Sequence, residues 1–272
     1  MVNSGGFTYD CGMFLRICVD CKKKGARCAM KSLLYKDYVA TNGPIVIGGF
    51  GLLTVFICVF TVWSTVDSDM EVLLGLWTPM LFMGGCAYLL VLMSQLFQAD
   101  SGKNCRDYLL TMPVDKKEYL LSKYIYYLVA NYLVLSWGVF LSMIAATAVK
   151  TEGMMMMVST IQLMGPIVIP VMLIMAAITF PLYILYGKKK GDMIFSGFSV
   201  TLCILFFIWL LFGDISGLAN MDIESNMKWV EEHTGLMVIL TTVFPIVTGV
   251  IYYLSYRITA GIYVRKERDI DE

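Results

Sequence analysis

Six stretches of the chain are apolar for long enough to cross a hydrocarbon core, which takes roughly 20 residues of helix. They are approximately Pro44–Val66, Leu73–Phe97, Tyr119–Val149, Met156–Tyr186, Met193–Phe212 and Leu236–Tyr256. The third and fourth are longer than a bilayer needs and are expected to run on into water. Between the second and third lies the most polar internal stretch, Asn104–Tyr124. It starts as an amphipathic segment with Tyr108, Leu109 and Met112 at helical spacing and Arg106 and Asp107 among them. Pro113 stops that helix, because it has no backbone N–H and disfavours helix at the residue before it. Asp115 then reads as the N-cap of a new helix, with Glu118 as its capping-box partner. The pattern is a short helix along the membrane surface, a break, and the capped start of the third span.

Ahead of the first span, Met30–Thr41 interleaves Leu33, Leu34 and Tyr38 with Lys31, Lys36 and Asp37. This suits a helix lying in the interface with lysines at headgroup level. Asn42-Gly43-Pro44 turns the chain into the first span. The fourth span carries Pro166, Pro170 and Pro181, which kink a membrane helix and free backbone carbonyls. In the long polar segment Gly213–Gly235, Ile223, Met227 and Val230 lie at spacings of four and three among acidic residues. That spacing predicts a short amphipathic helix dipping back over an outer mouth.

Composition supports the membrane reading. Of 272 residues 58% are hydrophobic and 15% charged, against nearly half and a quarter in soluble domains. The net charge is zero, and this hides an asymmetry. Nineteen of the 21 basic residues fall before the first span, between the second and third, between the fourth and fifth, or after the sixth; only Lys150 and Lys228 fall elsewhere. The positive-inside rule then places both termini in the cytoplasm. The expected architecture is an all-α integral membrane protein of six spans. Residues 1–29 form an N-terminal tail or an over-extended start, 30–42 the interfacial helix, 43–260 the six-span domain and 261–272 a cytoplasmic tail.

Candidate chemistry is sparse. Cys11, Cys18, Cys21 and Cys28 could offer four thiolates to zinc, but only one Cys-x-x-Cys pair is present where a zinc ribbon has two. No metal site is therefore assigned. Met154 to Met157 could suggest Cu(I), but thioethers at a helix end are read as flexible apolar filler. His233 is the sole histidine and has no companion ligand nearby. No ionisable residue lies mid-span, which counts against a proton-driven carrier. The chain has no GxxxxGK[ST] and no HExxH, so it binds no ATP through a P-loop and displays no catalytic residues.

Leu109-Leu110-Thr111-Met112-Pro113-Val114-Asp115-Lys116-Lys117-Glu118, with Leu121-Ser122-Lys123-Tyr124 after it, resembles the signature of ATP-binding-cassette type-two permeases, the membrane subunits of bacterial exporters. Two further stretches are similar to the same family: Phe180-Pro181-Leu182-Tyr183-Ile184-Leu185-Tyr186-Gly187-Lys188-Lys189-Lys190-Gly191, and the terminus Leu254-Ser255-Tyr256 through Lys266-Glu267. Met30-Lys31-Ser32-Leu33-Leu34-Tyr35-Lys36-Asp37 is similar to its start. Departures are Met112 where Leu is usual before Pro113, Tyr186 where Phe is usual before Gly187, and the 29 residues at the front.

The resemblance implies a homodimer or heterodimer of permeases in the bacterial plasma membrane, docked on two copies of a separate ATPase subunit that binds ATP and magnesium. No cofactor is bound by this chain and no nucleic acid is a partner. The cytoplasmic helix between spans two and three would be the coupling helix, with Arg106, Asp107, Tyr108, Leu109, Met112 and Pro113 at the ATPase. Lys116, Lys117 and Lys123 would hold the membrane boundary. The interfacial helix with Leu33, Leu34, Lys36 and Tyr38 would be a second ATPase contact. The cargo would be amphipathic or hydrophobic: a peptide, a lipid or a drug. The alternatives are a carrier or channel without an ATPase, and a membrane scaffold, sensor or immunity subunit without transport activity of its own.

Overall fold

A computed structural model describes residues 26–64, 68–98, 116–147, 149, 152–212 and 234–271. Its regular structure is all helical. In chain order the elements are α1 (Ala26–Ala40), α2 (Gly43–Ser64), α3 (Ser68–Gln98), α4 (Lys116–Ala146), α5 (Glu152–Phe212) and α6 (Thr234–Asp271). Five apolar segments of these helices are long enough to span a membrane: Gly43–Trp63, Leu74–Phe97, Lys117–Ala146, Gly165–Gly187 and Thr241–Tyr263. The fifth expected span, Met193–Phe212, falls on the second arm of α5 and is not among these five.

Single residues set where the helices turn. Asn42 adopts a left-handed conformation (φ 55°), which Asn tolerates better than most residues. Its N–H bonds the Val39 carbonyl at 3.1 Å, closing α1, and its own carbonyl accepts from Ile45 (3.0 Å) and Val46 (3.1 Å), opening α2. Pro44 sits in the first turn of α2, where its missing N–H costs nothing. Gly43 must be glycine for space: a Cβ there would overlap the Tyr38 ring and lie 2.7 Å from the Tyr38 carbonyl oxygen. α4 begins at Lys116, directly after the expected cap Asp115.

The fourth and fifth apolar stretches are joined through a break at one residue. Gly187, at φ 75° and ψ 164°, breaks α5 into arms of residues 152–186 and 188–212. That conformation is essentially open only to glycine, so the turn needs no loop and Lys188–Lys190 begin the second arm. α6 likewise runs past the expected end of the sixth apolar stretch to Asp271. Its buried Thr259 and Ala260 hold it to the bundle, and good helix formers such as Arg, Lys and Glu follow.

The first arm of α5 is the hub, packing on α3, α4 and α6. At its centre an aromatic cluster brings together Phe97, Tyr124, Phe180 and Tyr252, with Tyr124 packed edge-on to Phe180 at 4.8 Å. Several polar groups inside the bundle are paired across helices. The Tyr124 hydroxyl meets Ser255 and Thr259, each at 3.0 Å; Tyr252 donates to the Tyr124 carbonyl at 2.9 Å; and Ser255 lies 2.6 Å from the Ala177 carbonyl. Threonines along the spans bond back to the carbonyl one turn earlier, as Thr78 does to Leu74 at 2.7 Å and Thr179 to Met175 at 2.6 Å. Such self-satisfaction matters where no water is at hand.

α2 stands at the edge, held to α4 by the Trp137 indole, which donates to Thr54 at 2.8 Å. Its outer face shows Ile45, Leu52, Val55, Val59 and Val62, all more than half exposed. A contiguous apolar face of that size is unfavourable in water and suited to lipid.

Candidate functional site: a lysine clamp at the basic end of the bundle

The candidate site grows from a stripe on α1. Leu33, Asp37 and Thr41 recur every four residues, so they share one helix face, and all three are at most 2% exposed. That face lies along α4 in parallel register. Asp37 accepts from Ser122 at 3.2 Å, and Thr41 shares a 2.6 Å hydrogen bond with the Tyr126 hydroxyl one turn further on. Thr41 also donates to the Asp37 carbonyl at 2.8 Å.

Lys123 is the centre of the arrangement. Its side chain is fully buried, its ammonium lies 3.6 Å from the Asp37 carboxylate, and it donates to the Leu96 carbonyl at 2.5 Å. Leu96 is in the last turn of α3, where carbonyls lack intrahelical partners and the helix dipole favours a cation. The rings of Tyr119 and Phe97 complete the surround, 5.1 and 5.3 Å from the same nitrogen. Lys36 adds a second cation 3.9 Å from Asp37 and 5.1 Å from the Tyr119 ring. One lysine thus ties α1, the end of α3 and the start of α4 together. Those two helix ends flank the polar stretch between spans two and three.

The clamp continues into α5. Phe97 packs on Tyr183 at 5.3 Å, and the Tyr183 hydroxyl donates to Asp192 at 2.5 Å across the Gly187 break. Gly191 lets the second arm approach, since a Cβ there would lie 2.5 Å from the Tyr183 ring. A displacement at the end of α3 therefore meets a continuous line of packed rings and hydrogen bonds leading to the bend in α5.

The candidate residues fall in several places. Leu33 is buried, Leu34 and Tyr38 are half-buried, and Lys36 is only 7% exposed, so this lysine faces the bundle instead of sitting as a free headgroup anchor. Lys123, expected to hold the membrane boundary, is drawn inside by Asp37; Lys117 remains exposed. Arg106, Asp107, Tyr108, Leu109, Met112 and Pro113 lie outside the described residues, as do Ile223, Met227 and Val230. Cys11, Cys18, Cys21 and His233 lie outside them too. Among the described residues no group of three or more His, Cys, Asp or Glu could hold a metal. Asp37, Ser122, Thr41, Tyr126 and Asp192 were missed as a set. The signal was available in part: a carboxylate stands on the buried stripe of α1, and a lysine stands where the apolar run of α4 begins.

An all-helical bundle with five apolar helices of spanning length and a buried clamp at its basic end defines a multi-pass membrane protein. Residues 32–264 match the family described as ABC-2 family transporter protein, and the chain belongs to that family. It is a permease, a transmembrane transport subunit of the kind that is generally not catalytic and normally partners with an ATPase subunit. No curated protein and no solved structure matches the chain.

Proposed function

We propose that the chain is the permease subunit of a bacterial exporter in the plasma membrane, moving amphipathic or hydrophobic cargo outward by ATP-driven alternating access. It works as a homodimer or with a second permease, on two copies of an ATPase that supplies the sites for ATP and magnesium. Six spans, with the second arm of α5 as the fifth, leave both termini and the clamp in the cytoplasmic half. The segment carrying Arg106, Asp107, Tyr108, Leu109, Met112 and Pro113 is the coupling helix. α1, with Leu33, Leu34, Lys36 and Tyr38, is the second contact with the ATPase. Ile223, Met227 and Val230 cover the outer mouth.

The observation that carries this reading is the tie made by Lys123 between α1, α3 and α4. An ATPase pressing on the coupling segment would push on the ends of α3 and α4, and the buried ion pair would move α1 with them. Such rigid-body switching needs a stiff linkage and a ligand with differential affinity for two states, which ATP supplies. The apolar spans suit cargo that partitions into lipid.

The test is reconstitution of the permease with its ATPase in liposomes, with a fluorescent phospholipid and a fluorescent amphipathic peptide as probes. ATP on the ATPase side should drive at least one probe to the opposite side, and non-hydrolysable nucleotide should not. Flux toward the ATPase side, or flux independent of ATP, would overturn the export reading.

A further inference from the structure

Three fully buried polar atoms have no hydrogen-bond partner among the described residues: the Tyr127 hydroxyl, Asn131 Oδ1 and Thr248 Oγ1. Two independent helix registers bring Asn131 and Thr248 to one level of the bundle. α4 and α6 run antiparallel, with Tyr124 against Ser255. Two turns along α4 from Tyr124 is Asn131, and two turns back along α6 from Ser255 is Thr248. α5 and α6 run parallel, with Ser255 on the Ala177 carbonyl. The same two turns back from Ala177 reach Pro170, and Asn131 Nδ2 donates at 3.0 Å to the carbonyl of its neighbour Ile169. Tyr127, one turn from Asn131 on the same face of α4, packs at 5.5 Å on Phe180. Pro170 has no N–H, so the Pro166 carbonyl also loses its usual donor one turn outward.

Leaving one polar atom unpaired in such a setting is costly, and Asn131 and Thr248 at one level, with Tyr127 one turn away on α4, form a built polar set. Asn131 Oδ1 only accepts, while the two hydroxyls can donate or accept. The occupant must therefore donate at least one hydrogen. Glu118, at the far end of α4, is the only carboxylate in the three spanning segments, so nothing at this level offsets a cation and the occupant is neutral. We propose that the junction of α4, α5 and α6 is an internal water site, in which one water donates to Asn131 Oδ1 and bridges the hydroxyls of Tyr127 and Thr248. Water needs two to four polar partners to stay in a protein interior, and this set supplies them. The site is independent of which cargo the permease moves. It places a hydrated point inside the seam between α4 and α6, which is otherwise closed by rings and direct hydrogen bonds.

The test uses the full-length protein in lipid nanodiscs. Radiolytic hydroxyl labelling with a pulse of oxygen-18 water should mark Tyr127 despite its burial, with slower isotope uptake than at the exposed Tyr35. Tyr252, also buried but already bonded to the Tyr124 carbonyl, should stay unmarked. The isosteric Thr248→Val should remove most of the Tyr127 label and lower Tm by about 2–4 °C, while Thr248→Ser should keep both label and Tm. Tyr127 labelled no more than Tyr252 would overturn the proposal. So would a Thr248→Val protein with a raised Tm, the result expected from deleting a hydroxyl that has no occupant to bond.

Discussion

The buried pair between Asp37 and Lys123 makes a sharp energetic prediction because its two charges are not equivalent. Replacing Asp37 by Asn leaves the Lys36 and Lys123 ammonium groups, 3.9 and 3.6 Å from that carboxylate, with no anion between them. Replacing Lys123 by Met leaves Asp37 with Lys36 still at 3.9 Å and the Ser122 hydroxyl at 3.2 Å. Breaking a buried pair from one side costs about 3–5 kcal/mol, because the surviving charge stays desolvated. Asp37→Asn should fall at the upper end of that range and Lys123→Met at the lower. Removing both charges, Asp37→Asn with Lys123→Met, should recover much of the loss, since neither member of the pair is then left as an unpaired buried charge. Reversible unfolding in mixed micelles, followed by tryptophan fluorescence across a detergent titration, supplies the double-mutant cycle. The expected coupling energy is about 2–3 kcal/mol. Additivity within about 0.5 kcal/mol would refute the clamp as an interacting unit.

Other outcomes follow from the same geometry. Gly43→Ala should destabilise by about 1–3 kcal/mol, read as a lowered Tm, because its methyl has only the Tyr38 ring and carbonyl to displace. Gly187→Ala meets no neighbour within 4 Å, so its cost of about 1–3 kcal/mol comes wholly from the backbone; a Tm unchanged from wild type would show that the turn is made another way. Tyr124→Phe removes the hydroxyl shared with Ser255 and Thr259 and should cost about 1–2 kcal/mol by the same unfolding titration. In the permease reconstituted with its ATPase, Lys123→Met should keep the ATPase bound while ATP-driven probe flux falls well below wild type; unchanged flux would remove the clamp from the transport cycle.

The helices were legible because apolar runs and breakers act locally. Pro113 and Asp115 announce the start of α4, and Asn42-Gly43-Pro44 announces the turn between α1 and α2. The bend at Gly187 was not read from the sequence, where the three lysines marked only a link between two apolar stretches. Only the φ/ψ freedom of glycine shows that one residue suffices. The clamp was hidden for a different reason. A lysine near the end of an apolar stretch normally reaches for water, and Lys123 turns inward only because Asp37 from a distant part of the chain meets it. Pairing of that kind depends on the register between helices, which periodicity along one helix does not contain. The parallel register of α1 on α4 becomes visible only when Asp37 with Ser122 and Thr41 with Tyr126 are seen together.

The central claim is that the segment between α3 and α4 receives an ATPase, and co-purification tests it most directly. Tagged permease should bring down the ATPase from gentle detergent. Leu109→Asp with Met112→Asp should lose it while the permease stays folded in the membrane. A wild-type chain that captures no ATPase, or a double variant that binds it as well as wild type, would contradict the account.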